Sequence, residues 1–279
     1  MEMKKSRWLA AGAAGALGYT WLENRCMLET AEYHLVHPNY HGRPLDLLLV
    51  SDLHCKRDRG LSAWLYQKAR HLRPDYILIA GDAITRSCID FRPVSAVFRA
   101  LSANAPTFFT PGNHELDLPP AQWKALRAVI QENAVTLLDN ASCVPEHGLK
   151  ITGASLKRSI YRDENNSFFN LESYTAEELQ EAVGAHDEFT LLLAHNPLCM
   201  DAYVKWGADL VFSGHVHGGA LRLPLVGGVL SPERIFFPQY DKGLYHDGCT
   251  AMLVSGGIGK LRLFNPPQIC LLHLIPDTD

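Results

Sequence analysis

Apolar residues in this chain come in short, uninterrupted runs, and five of the runs end alike. LLLVSDLH (47–54), YILIAGD (76–82), TFFTPGNHE (107–115), TLLLAHNP (190–197) and DLVFSGHVH (209–217) each pass from β-prone residues into a polar turn. Such runs predict buried strands that feed loops. Between them, apolar residues recur at helical spacing in LSAWLYQKARHL (61–72), PVSAVFRAL (93–101) and PPAQWKALRAVIQEN (119–133). These predict amphipathic helices. Arg73-Pro74-Asp75 stops the first, and Pro119 and Pro120 suit the start of the third. TAEELQEAV (175–183) opens with Thr175 as N-cap and Glu178 three residues later, a capping box. A connector and a first strand around Tyr33–Val36 come earlier. After about residue 217 the chain is β-rich and punctuated by glycine and proline. No internal repeat is evident. The alternation of strands and helices predicts an α/β fold.

In open α/β sheets, ligands bind outside the carboxyl ends of the strands. Asp52, His54, Asp82, Asn113, His195, His215 and His217 should therefore gather on one rim. Seven oxygen and nitrogen donors without a thiolate suit two hard or borderline metal ions sharing a bridge. Asp52 and His54 are two apart, so a straight strand would put them on one face. Gly81 before Asp82 allows a tight bend from strand to loop.

The series D-x-H, G-D, G-N-H-E, H and G-H-x-H is complete and in order. Over about residues 45–217 it resembles the calcineurin-like metallophosphoesterase family. SGHVHGG, FFPQYDKGLY (236–245) and FNPPQI (264–269) resemble one bacterial branch of single-chain phosphodiesterases, often membrane-attached. The resemblance implies a two-sheet α/β/β/α sandwich with metals at the C-terminal ends of the strands. It implies a first divalent ion on Asp52, His54, Asp82 and His217, and a second on Asp82, Asn113, His195 and His215. Manganese is the first expectation, with iron, zinc or nickel as alternatives. Asp82 would bridge the ions, and a hydroxide shared between them would attack phosphorus in line. His114, beside the ligand Asn113, resembles the family residue that contacts phosphate and protonates the leaving oxygen. Arg86 lies where relatives often carry a basic phosphate contact, and Asn113 also faces the substrate. Many relatives place an aspartate three residues after the G-D aspartate to orient this histidine. Here that position is Thr85.

The implied activity is phosphoric ester hydrolysis, foremost of a phosphodiester. A nucleotide-lipid pyrophosphatase is an alternative in the same class, and a non-catalytic binding module is one outside it. Modules of that kind typically lose ligands, and this chain has lost none. Two stretches bear on the substrate. KRSIYRDENNSFF (157–169) reads as a solvated loop or as a rim that turns Arg158, Tyr161 and Arg162 toward substrate. The apolar 221–240 reads as covered core or as a contact for a lipid-linked phosphate ester.

Composition changes the picture in three places. A net charge of −4 gives no basic field, so no nucleic-acid polymer is expected as a partner. Seven scattered cysteines without close pairs fit a reduced compartment better than a disulfide framework. Lys4, Lys5 and Arg7 precede an uncharged stretch from Trp8 to Leu22, with Trp8, Tyr19 and Trp21 near its ends. That pattern predicts a membrane anchor in residues 1–26, and a catalytic domain in 27–279 on the extracytoplasmic side. The stretch is nonetheless shorter than the roughly 20 residues a spanning helix needs.

Overall fold

The computed structural model describes residues 15, 18–20, 22–23, 27–165, 167, 171–186, 188–219, 221–223, 227–231, 236–259, 262 and 264–277. Strands β1 (Glu29–His37), β2 (Leu45–Val50), β3 (Tyr76–Ala80), β4 (Thr107–Thr110) and β5 (Val135–Leu137) come first. Then follow β6 (Ala141–Glu146), β7 (Leu149–Ala154), β8 (Thr190–Ala194) and β9 (Leu210–Ser213). The two-residue strands β10 (Arg222–Leu223) and β11 (Gly227–Gly228) precede β12 (Gly243–Asp247), β13 (Thr250–Val254) and β14 (Gln268–Pro276). The helices are α1 (Leu61–Leu72), α2 (Arg92–Ser102), α3 (Asn113–Leu116), α4 (Pro120–Glu132), α5 (Ala176–Val183) and α6 (Met200–Trp206).

Two six-stranded sheets form, in the orders β1-β14-β2-β3-β4-β5 and β12-β13-β9-β8-β7-β6. Neighbours among β2, β3, β4 and β5 are parallel, as are β7, β8, β9 and β13. β14 is antiparallel to β2 and parallel to β1. The lack of polar alternation in the strands now has its reason. In β2, Leu47 and Leu49 pack toward the other sheet, while Leu48 and Val50 pack under α1 and α2. In β8, Leu191 and Leu193 join the layer between the sheets, and Leu192 and Ala194 lie under α5 and α6. Both faces are buried, so every position except Asp46 and Thr190 is apolar. Each fully buried leucine contributes about 1.5–3 kcal/mol. The result is the expected α/β/β/α sandwich.

The four expected helices form within a residue or two of their sequence bounds. Thr175 Oγ1 accepts the Glu178 N–H at 3.2 Å, and the Glu178 carboxylate accepts the Thr175 N–H at 2.9 Å, which completes the capping box. β1 runs further in both directions than Tyr33–Val36, because β14 pairs with it along its whole length. Cys55, Cys88, Cys143, Cys199, Cys249 and Cys270 are free thiols. Of the expected anchor, residues 1–14, 16, 17, 21 and 24–26 lie outside the described residues. Among the described residues, no helix is long and apolar enough to cross a membrane.

Candidate metal centre

The rim forms where the parallel strands end. Asp52 and His54 follow β2, Asp82 follows β3, Asn113 opens α3 after β4, His195 follows β8, and His215 and His217 follow β9. All seven are buried or nearly so. Five lie in the left-handed region, with φ of 52° at Asp52, 42° at His54, 51° at Asp82, 70° at His215 and 55° at His217. Non-glycine residues there cost about 1–3 kcal/mol each and are kept where the surroundings impose them. One imposed contact is at Gly81, where φ is 71° and a Cβ would come within 2.6 Å of His195 Nδ1.

Three groups of donors converge: Asp52, His54 and His217; His54, Asp82 and His114; Asp82, His195 and His215. Within each group the ligating atoms lie within 4.8 Å of one another. Asp82 Oδ2 is 3.7 Å from His54 Nε2 and 3.4 Å from His195 Nε2. Asp52 Oδ1 is 3.7 Å from His217 Nε2 and 3.8 Å from His195 Nε2. Asn113 Oδ1 is buried and has no hydrogen-bond partner among the described residues. That orphaned oxygen, together with clustered carboxylate and imidazole donors, fits divalent cations. Burial, then Asp58 and Cys88, push the Cys55 thiol up to about 12, and no cysteine belongs to the three donor groups found among the described residues.

Hydrogen bonds set the orientation of these groups. The His195 ring places Nδ1 2.7 Å from the Ala80 carbonyl, which can only accept, so Nδ1 carries the proton and Nε2 faces Asp82 and Asp52. Asp82 Oδ1 accepts the His114 N–H at 2.9 Å, and Asp52 accepts the His215 N–H at 3.0 Å. Burial opposes ionisation of Asp82, but His195, His114 and His54 outweigh it and hold its carboxyl well below the usual range. Burial pushes Asp52 above that range, against His195. Burial likewise opposes a charge on His195, yet Asp82 and Asp52 raise its imidazole to about 9.

His114 Nε2 lies 3.7 Å from Asp82 Oδ2. Its other nitrogen, Nδ1, accepts the Arg86 N–H at 3.0 Å. A backbone amide orients this ring here, where Thr85 replaces the aspartate of many relatives. Arg86 Nε lies 3.4 Å from Asp117 Oδ2, at the edge of the rim.

Several supporting residues were missed at the sequence level. Glu115 accepts N–H groups from Asp82, Ile84 and Gly112 at 2.8–3.1 Å, which ties the loop after β3 to the loop after β4. Burial, then Asp82, push its carboxyl up to about 7. The G-N-H-E motif contained this residue, but spacing alone assigns it no partner. Arg262 is 2% exposed and donates to the carbonyls of His217, Gly256 and Gly257. Asn265 Nδ2 donates to the carbonyls of His217 and Gly219 at 2.6 and 3.0 Å. Together they hold the G-H-x-H loop from behind. Gly257, with φ 69°, lies so close to Asp52 that a Cβ would sit 2.6 Å from the aspartate Cβ. The cue for Arg262 was a cation, two residues after Lys260, in an otherwise apolar stretch.

The two stretches left open by the sequence resolve differently. Residues 158–160 form a short 3-10 helix, and Ile160 and Tyr161 are buried. The Tyr161 ring lies 5.0 Å from that of His215 and 6.2 Å from that of His195. This part of 157–169 is therefore rim and not a solvated loop. In 221–240, Phe236, Phe237 and Leu223 are 69%, 60% and 40% exposed, so they are not covered core.

Comparison with known proteins follows the same outline. The profile of the calcineurin-like phosphoesterase family matches residues 45–219. Phosphodiesterase YaeI of Escherichia coli is 27% identical over 98% of this chain and 100% of its own length. UDP-2,3-diacylglucosamine pyrophosphatase LpxG of Chlamydia muridarum is 24% identical, with 94% of each chain covered. Among solved structures, TT1561 of Thermus thermophilus aligns with 77% of this chain and 90% of its own, at 16% identity and a TM-score of 0.49. The family match spans well over half of the chain and includes every donor on the rim: the chain belongs to the calcineurin-like phosphoesterase family and is a metal-dependent hydrolase of phosphoric esters.

Proposed function

We propose that the rim holds two divalent ions and that the chain is a phosphodiesterase. The observation that carries this is the place of Asp82, which belongs both to the His54 group and to the His195–His215 group. One ion would take Asp52, His54, Asp82 and His217. The other would take Asp82, Asn113, His195 and His215. When bound, the pair supplies Lewis acidity at phosphoryl oxygens and lowers the pKa of an attacking water. Manganese is the first choice, with iron, zinc or nickel as alternatives that carboxylate, amide and imidazole donors also suit.

The chain's own residues do the rest. Asp52 and Asp82 supply the negative charge that retains the cations. His114 is a catalytic residue. Its Nδ1 is occupied by the Arg86 N–H, so in the neutral ring Nε2 carries the proton. Nε2 donates to a phosphoryl oxygen and to the leaving oxygen as the ester bond breaks. Arg86 supplies a positive charge to the phosphate from the loop after β3.

A second reading within the class is a nucleotide-lipid pyrophosphatase. The similarity to the pyrophosphatase of Chlamydia muridarum and the exposed Phe236 and Phe237 favour it. The same surface suits a lipid-linked substrate met at a membrane. In this reading residues 1–26 are the anchor and 27–279 the catalytic domain, facing outward. The Tyr19 and Phe264 rings lie 5.8 Å apart, so the helical turn around Tyr19 continues the apolar surface.

Elemental analysis tests the first point, with two ions per chain expected. Chelator-treated protein given Mn²⁺ should hydrolyse bis-p-nitrophenyl phosphate faster than p-nitrophenyl phosphate. One ion per chain, or ligation through cysteine, overturns the two-ion reading; a preference for the monoester overturns the phosphodiesterase reading. Full-length protein should sediment with membranes and resist extraction by high salt, and recovery in the soluble fraction overturns the anchor.

A further inference from the structure

Residues expected to belong to the membrane anchor reach the metal loop. Residues 18–20 and 22–23 are helical. Tyr19 and Leu22 are exposed, whereas Thr20 is 1% and Glu23 3% exposed. From here the chain keeps company with 264–268 at successive points. The Tyr19 ring lies 5.8 Å from that of Phe264. Glu23 Oε2 accepts the Asn265 N–H at 3.0 Å. The Glu29 N–H donates to the Pro267 carbonyl at 2.8 Å, and Gln268 Nε2 donates to Glu29 Oε2 at 3.2 Å. The end of the expected anchor is thus laid against the approach to β14.

A buried carboxylate is costly unless it is bonded and its charge is balanced. Glu23 has the Asn265 N–H, and its charge bears on Arg262. Burial brings the Arg262 guanidinium down to about 10, and the charges that oppose this are Asp52 and then Glu23. Asn265 and Arg262 are the two residues that hold the G-H-x-H loop. The loop needs holding, because His217 is in the left-handed region with φ 55°, followed by Gly218 at 65° and Gly219 at 87°. The His217 carbonyl accepts from Arg262 Nη1 at 3.1 Å and from Asn265 Nδ2 at 2.6 Å. The Gly219 carbonyl accepts from Asn265 Nδ2 at 3.0 Å. Both amide hydrogens of Asn265 are therefore engaged on the loop, and its backbone N–H is the handle that Glu23 grips.

We propose that Glu23 is a positioning residue of the metal centre: its carboxylate seats Asn265, and Asn265 seats His217. The inference rests on the two-ion reading, in which His217 belongs to the ion on Asp52, His54 and Asp82. It makes the last turn of the expected anchor a working part of that ion's site. The effect is graded between the two ions. His217 places Nε2 3.7 Å from Asp52 Oδ1, and its backbone depends on Asn265 and Arg262. His215, two residues earlier, has supports of its own: its N–H donates to Asp52 at 3.0 Å, and the Tyr161 ring packs against its ring. Loss of Glu23 therefore loosens the ion on His217 more than the ion on His215.

Calorimetric titration of metal-free, full-length protein in detergent micelles with Mn²⁺ tests the role without turnover. Native protein should show two binding steps. Glu23→Ala should weaken one step by about tenfold and the other by less than about twofold. Glu23→Gln, whose amide oxygen still accepts the Asn265 N–H without the charge, should weaken the same step by about threefold. Asn265→Ala should weaken that step at least as much as Glu23→Ala does. The double variant Glu23→Ala/Asn265→Ala should lose no more than Asn265→Ala alone, because one residue acts through the other. Melting temperature of the metal-free variants reports whether they fold. If Glu23→Ala does not fold, Glu23→Gln decides, and no loss at either step overturns the proposal. The proposal also fails if Glu23→Ala keeps both steps at native affinity, if both steps weaken equally, or if the two single losses add in the double variant. Failure of the parent reading looks different: native protein then shows one step or none before any substitution.

Discussion

The first sheet and the second sheet contribute different chemistry to the same rim. The loops after β2, β3 and β4 bring both carboxylates, the amide of Asn113, and His54 and His114. The loops after β8 and β9 bring imidazoles alone: His195, His215 and His217. Carboxylate enters from one side only, and the other brings imidazole nitrogen alone. The sides are also fixed differently. Asp82 is held within its own half by the His114 N–H, whereas Asp52 accepts its N–H from His215 in the opposite half. On the proposed two-ion reading, the first half supplies the charge that retains the cations. The second half shapes where they sit and, through the bond between His215 and Asp52, locks the two sheets together at the site.

Removing charge from the first half should have the largest effect. Asp82→Asn keeps the shape but deletes the carboxylate common to two donor groups. It should lower kcat/KM by about 10⁴-fold, equivalent to about 5.4 kcal/mol, with metal content below two per chain. Activity restored by millimolar metal would break the comparison, since charge would then matter no more than a neutral donor. His114→Ala comes next. It should lower kcat by about 10²–10⁴-fold with both metals retained. The loss should shrink for p-nitrophenolate esters, whose leaving group needs little protonation. An equal loss on poor leaving groups would make His114 a phosphate binder only.

Loss of an imidazole donor of the second half should cost less. His195→Ala removes one imidazole and its bond to Ala80, and should weaken metal affinity by about 10–100-fold. Added metal should rescue most of the turnover, in contrast to Asp82→Asn. If it does not, the halves are equivalent. The smallest effect is a control in the second half away from the rim. Thr175→Ala deletes the N-cap of α5 and should lower stability by about 1 kcal/mol in chemical denaturation, without change in metal content. A change in metal content there would mean that the rim depends on the whole half and not on its local bonds.

Much of this was legible from residue order because strand ends and ligands coincide. Five apolar runs, each buried on both faces, fix where the chain turns, and the turn residues are themselves the donors. Thr175 and Glu178 announced their helix because both partners of a capping box lie within one turn. Residues that act from far along the chain were not legible in this way. Arg262 holds the His217 carbonyl, and Gly257 leaves room for Asp52, yet neither contact exists until both sheets are assembled. Glu115 stood inside a recognised motif, but its three N–H partners come from two loops. The stretch around Tyr161 read as polar because arginines surround it, and one buried aromatic among charges gives no periodic signal. The apolar 221–240 stayed open between covered core and a contact surface, since hydrophobicity does not say which faces are covered.

The place of β14 governs how such a chain can be made. It lies between β1 and β2 in the first sheet, although it follows both far along the chain, at Gln268–Pro276. A ribosome delivers β1 and β2 long before the strand that joins them. Until residues 268–276 emerge, β1 has no neighbour in its sheet, and β2 presents an open edge with Leu45, Leu47 and Leu49 along it. Open apolar edges invite pairing with other chains, and pairings distant in sequence form slowly. The first sheet therefore closes only after residues 268–276 have been made. Nascent chains of this protein should dwell on holding chaperones until that point, and a stop codon before residue 268 should yield aggregate and not a smaller folded domain.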